Sequence, residues 1–317
     1  MKRLNLKDYT ANIVMYHYVR PIKKSKNPNI KGLELNEFYD QINFFKKKGN
    51  IISETDFFEI IKKNEIPKKP LILLTFDDGY KDHYNYVFPH LVKNKISGSF
   101  YAPQKVVENK HVLDVNKIHF ILEKEPNSKK ILKMINKILI SKYNYSLKDI
   151  NLNKINTLDR FDSKETILVK RLLQYFLPLN IRDKLVQELF KKVVRKNLNN
   201  FSKELYINSK NVKEMSNFGM NFGIHGDYHL WWEHISTKQI VKEIEKPKIF
   251  FNKLTNKNDK ISLCYPYGSY NNKIISYIKK RNDISFGLST RVNYISNKNL
   301  KKDIFNYPRF DANDFKK

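Results

Sequence analysis

Short apolar runs recur along the chain at 13–16, 71–76, 98–102, 222–224, 261–265, 284–288 and 304–307, and most end in a polar or glycine-containing turn. Helical patterns lie between many of them, such as 37–48 (EFYDQINFFKKK) and 84–94. Strand, loop and helix in repetition imply parallel strands covered by helices. Parallel strands are buried on both faces, so they read as continuous apolar runs rather than alternating ones. The expected fold is therefore α/β, and 317 residues suit one barrel or two smaller domains.

The interval 104–216 breaks the rhythm. It carries helical patterns at 129–143, 164–176 and 181–196, few strand signals and much Lys and Asn. We read it as a helical insertion between two barrel strands, too long and too periodic for a bare loop. Hydrophobic residues make up 41% of the chain, with 21 Phe and 19 Tyr, which excludes disorder for most of it. The formal charge is +28, from 60 Lys and Arg against 32 Asp and Glu. Such an excess suits a polyanion, whether nucleic acid, an anionic membrane surface or an acidic glycan. The charge is spread, however, and lies mainly in KK pairs on helical stretches rich in Lys, Asn and Ile. That is the mark of a compositional bias, and specific nucleic-acid binding is not expected. Cys264 is the single cysteine, which rules out an intramolecular disulfide and suits a reducing compartment. The start, MKRLNLKDYTANIVMYHYV, is basic but has no apolar run of signal-peptide length. No segment approaches the ~20 apolar residues of a membrane span. The expectation is a soluble cytoplasmic protein, with the inner membrane face as a further setting.

Three stretches carry chemistry. The first is LILLTFDDGY, where the second apolar run ends in Asp77, Asp78 and Gly79. In α/β barrels the C-terminal edge of the strands is where sites are built. Alone, DDG also suits an acidic turn or helix cap. The second is GIHGDYHLWW, with His225 and His229 four apart after an apolar run. On a helical turn those positions share a face, so both imidazoles can meet one ion. Adding a carboxylate from another strand end makes Asp, His, His and an open position, the expected set for a catalytic metal that keeps a water. One aspartate can then bind the metal, and its neighbour can stay ionised and take a proton from the water, whose pKa zinc lowers to ~7. The third is LCYPYGSYN, whose turn after Pro266 can aim a backbone N–H at a developing oxyanion. A plain strand-ending turn is the alternative there.

TFDDG, HxxxH and YPYG, in that order, resemble the polysaccharide deacetylases, carbohydrate esterase family 4. MYHYV is similar to the start of a branch that includes exopolysaccharide N-deacetylases. The resemblance covers about 12–103 and 217–311, with the insertion outside it. It implies a distorted (β/α) barrel of about seven strands, and a single catalytic domain over 1–317. It also implies Asp77 as catalytic base, and Asp78, His225 and His229 as ligands of a divalent metal, with zinc expected. Tyr267 matches the residue whose backbone N–H helps bind the oxyanion.

There are departures. Cys264 stands where the family's third motif usually begins with an arginine that orients the base. No histidine follows His234, although the family's general acid usually lies near the C-terminus. His17, in MYHYV, is the candidate for that acid, with a structural histidine as the alternative. Arg309 and Asp311, in YPRFDAN, are candidates to replace the missing arginine and a supporting carboxylate. Tyr80 and Trp231 join them on the expected substrate side, since aromatic faces stack on sugar rings, although core packing would explain both. Cys264 itself reads as small and buried rather than nucleophilic.

The expected function is metal-dependent hydrolysis of an N-acetyl group from an amino sugar, in surface-glycan or sugar-precursor metabolism. The partner would be an N-acetylated sugar or glycan. Two other readings stand beside it: a catalytically silent glycan-binding protein, and an N-deformylase of a lipid-linked sugar.

Overall fold

The computed structural model describes residues 6–7, 10–63, 65, 67–151, 155, 162–257 and 260–315. The chain divides into two compact units, Met1–His111 with Ser202–Lys317, and Val112–Phe201. The first unit holds a curled, half-barrel sheet, as expected of a distorted (β/α) barrel. Its main path has seven strands: Ile295–Ser296, Thr10–Tyr16, Leu71–Asp77, Ser99–Ala102, Asn221–Ile224, Ile261–Cys264 and Ile284–Leu288. All neighbours are parallel except Ile295–Ser296, which runs antiparallel to the Thr10–Tyr16 strand.

Six of these strands coincide with apolar runs in the sequence. The expected strand at 304–307 does not form. Residues 304–306 are turn and bend, and Tyr307 alone makes a parallel bridge to Leu288. The backbone there loops across the last strand, with Gly287 N–H donating to Ile304 O and Tyr307 N–H to Gly287 O. The chain then continues to Phe310–Asp311, which pairs in parallel with Val14 and Met15 of the first long strand. Residues 307–311 thus bridge the last strand to the first, and this seam carries Arg309.

Strand register is set by an aromatic row on the outer face. Tyr16, Phe76, Phe100 and Phe222 are register partners across four adjacent strands. Their rings stack at 4.9, 4.8 and 5.6 Å between centroids. Phe38, from the helix Leu35–Lys48, meets Tyr16 edge-on at 5.4 Å. Phe251, from the helix Thr237–Thr255, stacks on Phe222 at 6.0 Å. Each such pair contributes about 0.5–1.5 kcal/mol beyond the area it buries. A slip of one residue would turn the row inward, so the register is strongly specified. With Phe76 outward, period-2 alternation sends Thr75 and Asp77 inward.

Inside the barrel, Tyr101 fills the space beside Gly223, where a Cβ would overlap the ring. The Tyr101 hydroxyl bonds Ser262 Oγ at 2.8 Å and donates to the buried Glu54 carboxylate at 3.2 Å.

The second unit is helical, with Asp114–Lys124, Ser128–Tyr143, Lys164–Arg171 and Leu179–Val193. Asn127 and Ser163 cap two of these helices with side-chain oxygens. Ile121, Ile135, Leu172 and Leu189 lie in its core. The unit is narrower than 104–216 because the flanking segments are tied to the barrel. Gln104 and Lys105 N–H donate to the Gly226 and Asp227 carbonyls, and Ile207 N–H donates to Gly79 O. Among the described residues no helix is long and apolar enough to cross a membrane.

The packing of Tyr101 against Gly223 predicts that Gly223→Ala destabilises the protein by about 1–3 kcal/mol, as overpacking does. Urea unfolding should show the loss, and it should shrink in a Tyr101→Leu background, because the two sites share one contact.

Candidate active site

The groups singled out in the sequence gather at the C-terminal ends of the parallel strands. Asp77 is the last residue of its strand, His225 follows Asn221–Ile224, and Cys264 ends Ile261–Cys264. Asp78 turns away from the strand direction with φ 69°, which separates its carboxylate from that of Asp77. His225 and His229 do not lie on a helical turn, as their spacing had suggested. They sit on a loop in which Gly226 has φ 79° and His229 φ 60°. This reversal, rather than helical geometry, brings the two rings to 4.6 Å between centroids.

Asp78, His225 and His229 are buried, and their potential ligand atoms converge. Asp78 Oδ1 lies 3.5 Å from His225 Nε2 and 3.4 Å from His229 Nε2. The two Nε2 atoms are 3.1 Å apart. Four-coordinate zinc with ligand bonds of ~2.0–2.1 Å separates tetrahedral ligand atoms by about 3.3 Å. The three atoms therefore match one face of such a tetrahedron. Asp78 Oδ1 is buried with no hydrogen-bond donor, as a cation ligand would be. His225 Nδ1–H donates to Cys264 O at 2.8 Å, which aims Nε2 at the cluster. Tyr80 donates to Asp78 Oδ2 at 2.6 Å and fixes the carboxylate from the other side.

The electrostatics suit two of the three ligands. Burial alone would raise the Asp78 carboxyl, but the imidazoles of His225, His229 and His17 outweigh it and hold it well below the usual range. Burial, followed by the His225 charge, pushes His229 down to about 3, so its ring is neutral at neutral pH. His229 therefore has the neutral state a metal ligand needs, whereas at His225 burial is outweighed by Cys264 and Asp78, which hold its ring well above the usual imidazole range, so a metal would have to displace its Nε2 proton.

Asp77 is held differently. Arg309 is fully buried at the seam and grips it in a bidentate pair, Nη1 to Oδ1 at 2.9 Å and Nη2 to Oδ2 at 2.7 Å. The guanidinium also donates to Thr75 Oγ1, Ser289 O and Cys264 Sγ. Burial raises the Asp77 carboxyl, but Arg309, with smaller contributions from His225 and His17, outweighs it and leaves it below the ordinary range. Asp77, His225 and Cys264 form a second cluster with converging ligand atoms. There, however, Asp77 is engaged by arginine and His225 Nδ1 by a carbonyl, so the Asp78 set has the freer lone pairs.

His17 is half-buried just beyond the end of the first long strand. Its carbonyl is bonded by His83 Nε2 at 2.7 Å, and His83 is a buried ring that burial pushes down to about 4. Tyr267 adopts φ 58° inside its turn, and its ring lies 4.5 Å from that of His229. Trp231 stacks on Tyr267 at 4.5 Å with 14° between planes. Three expected substrate-side residues are placed elsewhere. Tyr80 is fully buried and holds Asp78, and Arg309 is fully buried against Asp77. Asp311 accepts from Asn313 N and Nδ2 within its own turn. The carbonyl of Cys264 and the Tyr80 hydroxyl are supports the sequence reading missed. The only signal for either was adjacency to a strand end.

A family model described as Polysaccharide deacetylase matches residues 64–138 and 187–282, which together exceed half of the chain. The Streptococcus pyogenes deacetylase PplD in complex with acetate superposes with a TM-score of 0.56 at 18% identity, covering 96% of this chain and 93% of that one. A de-N-acetylase from Aggregatibacter actinomycetemcomitans does so with a TM-score of 0.54 at 13% identity, covering 96% and 95%. The BpsB deacetylase domain from Bordetella bronchiseptica gives 0.52 at 11% identity, covering 96% and 97%. At these identities the likeness is one of fold. No curated protein matches the chain. The family match, on a half-barrel whose strand ends bring Asp78, His225 and His229 together beside Asp77, means that this chain belongs to the polysaccharide deacetylase family.

Proposed function

We propose that the protein is a zinc-dependent hydrolase that removes the N-acetyl group of an amino sugar, with Asp78, His225 and His229 as the metal ligands. Family membership supports deacetylation of a glycan substrate. The observation that carries the finer reading is the triangle of ligand atoms 3.1–3.5 Å apart beside an arginine-clamped carboxylate. When bound, zinc would supply a Lewis acid that lowers the pKa of a water to ~7 and polarises the acyl carbonyl.

The remaining work falls to the chain. Asp77 takes a proton from the attacking water, and Arg309 keeps it ionised and aimed. The water oxygen bonds to the acetyl carbon, and the Tyr267 backbone N–H donates to the oxyanion that develops. The C–N bond then breaks, and His17 gives a proton to the leaving nitrogen. Acetate and a free amine result. The Trp231–Tyr267 stack offers a flat aromatic face to a sugar ring beside His229. The MYHYV segment that carries His17 fits the exopolysaccharide branch of the family.

The test is acetate release from chitooligosaccharides and N-acetylated sugar nucleotides, using protein stripped of metal and then reloaded with zinc. Release should depend on zinc. Asp77→Asn should lower kcat by about 10²–10⁴-fold with zinc stoichiometry unchanged, and Asp78→Ala should lose the metal. Zinc-independent release, or wild-type protein that binds no zinc, would overturn the proposal.

Arg309 generates a pH prediction. Its removal takes away the largest influence that opposes burial at Asp77, so the carboxyl pKa rises. The acidic limb of the rate profile should therefore move to higher pH in Arg309→Met, and less so in Arg309→Lys. Asp77 has a depressed folded pKa, so its contribution to stability is present at neutral pH and lost as pH falls below the ordinary carboxyl range. Arg309→Met, measured by urea unfolding at neutral pH, should cost about 3–5 kcal/mol, the usual effect of stranding one partner of a buried pair.

A further inference from the structure

The loop Gly226–Leu230 leads from His225 through His229, and its shape decides where the His229 Nε2 points relative to that of His225, whose ring Cys264 O holds. That shape is held in an unfavourable conformation. His229 is a non-glycine residue at φ 60°, which costs about 1–2 kcal/mol and persists only where the surroundings over-determine it. Two sets of contacts fix the loop. Its Gly226 and Asp227 carbonyls accept from Gln104 and Lys105 N–H at 3.2 and 3.1 Å. Its N–H groups point the other way, to a single carboxylate, Glu243 of the helix Thr237–Thr255.

Glu243 is 3% exposed. Tyr228 N–H donates to Oε1 at 3.1 Å, with Oε2 at 3.4 Å, and Leu230 N–H donates to Oε2 at 3.5 Å. Backbone N–H groups of one turn aimed at a single point form a concave anion site, and here a side chain of the same protein occupies it. The fit is close enough that a Cβ on residue 226 would overlap Glu243 Oε2. Gly226 is thus required twice, by its φ of 79° and by the carboxylate behind it. The bonded N–H groups belong to the residues on either side of His229, so any shift of the carboxylate passes directly to that ring.

We propose that Glu243 is the positioning residue of the histidine loop: its carboxylate accepts from the N–H groups of Tyr228 and Leu230 on either side of His229 and so sets that ring at ligand distance from Asp78 and His225. This rests on the metal site proposed above. It assigns a role to a buried acid that lies outside the TFDDG, HxxxH and YPYG motifs.

Two variants separate geometry from charge. Glu243→Asp keeps the charge but withdraws it by a methylene, and Glu243→Gln keeps the reach but loses the charge and one acceptor oxygen. Zinc affinity would be read by competition with a chromophoric chelator, the ligand geometry by the visible spectrum of the cobalt(II) form, and the clamp by amide hydrogen exchange at Tyr228 and Leu230. The expected result is a loss of about 10–100-fold in zinc affinity in Glu243→Asp, the range found when a ligand's supporting partner is removed, with an altered cobalt spectrum and faster exchange at both amides. Glu243→Gln should bind zinc at least as well as Glu243→Asp. Folded Glu243→Asp with wild-type zinc affinity and spectrum overturns the proposal. So does loss in Glu243→Gln alone, which would mark the effect as one of charge. If wild-type protein binds no zinc, the metal site fails, and the exchange measurement alone decides whether Glu243 holds the loop.

Discussion

The buried pair between Arg309 and Asp77 is the constraint around which the barrel is organised. Taking two charges out of water costs several kcal/mol per ion, and their attraction offsets this only with good geometry and full hydrogen bonding. Both conditions hold. The fork meets the carboxylate in two bonds, and its other donors reach Thr75, Ser289 and Cys264. Such a pair can form only if the C-terminal segment passes between the last and first strands. The Tyr307 bridge to Leu288 and the pairing of Phe310 with Val14 place it there. Closure of the seam and orientation of the carboxylate are one event.

The same geometry explains how adjacent aspartates coexist. Two carboxylates side by side repel, and each here is drawn to a different partner. The aromatic row from Tyr16 to Phe222 sets the register, which turns Asp77 inward to the arginine. The left-handed turn at Asp78 swings the next carboxylate to two imidazoles and the Tyr80 hydroxyl. Local backbone geometry separates the charges, and distant residues then give each a distinct environment. One is held by a permanent cation, and the other faces a cluster whose lone pairs suit a metal ion.

What could be read from the sequence follows from the range of each interaction. Six long strands were legible because burial on both faces leaves an unbroken apolar run, as at Leu71–Asp77. The convergence of Asp78, His225 and His229 was legible because each follows such a run. The helical turn assumed for HxxxH was wrong because the spacing is equally met by a loop that reverses at Gly226 and His229. The region 304–307 misled because Ile304 and Tyr307 are apolar for the sake of the core, while the backbone between them turns. Tyr80 looks like a residue free to meet a ligand until the fold buries it, Arg309 lies against Asp77, where a replacement for the missing arginine was sought, and Asp311 is consumed by its own turn. Glu243 left no trace, because it acts on backbone N–H groups, which any sequence possesses.

Strain is also distributed in a telling way. Asp78, His229 and Tyr267 all have φ between 58 and 69°, and all three lie at the strand-end cluster. Each conformation is unfavourable for a residue with a Cβ, by about 1–2 kcal/mol. Several other non-glycine residues in this region, such as Asn144 and Asn256, end helices, where a left-handed residue satisfies orphan carbonyls. The strand-end three have no such local reason. Two of them are held by tertiary contacts, the Glu243 carboxylate beside His229 and the ring of His229 against that of Tyr267, while Asp78 is held by the Tyr80 hydroxyl two residues on. Because the strain is opposed by contacts from separate elements, loss of one support would be felt at the cluster before it was felt in the fold. Supports of this kind are therefore best recognised by their effect on ligand geometry, since their effect on stability is shared among many contacts.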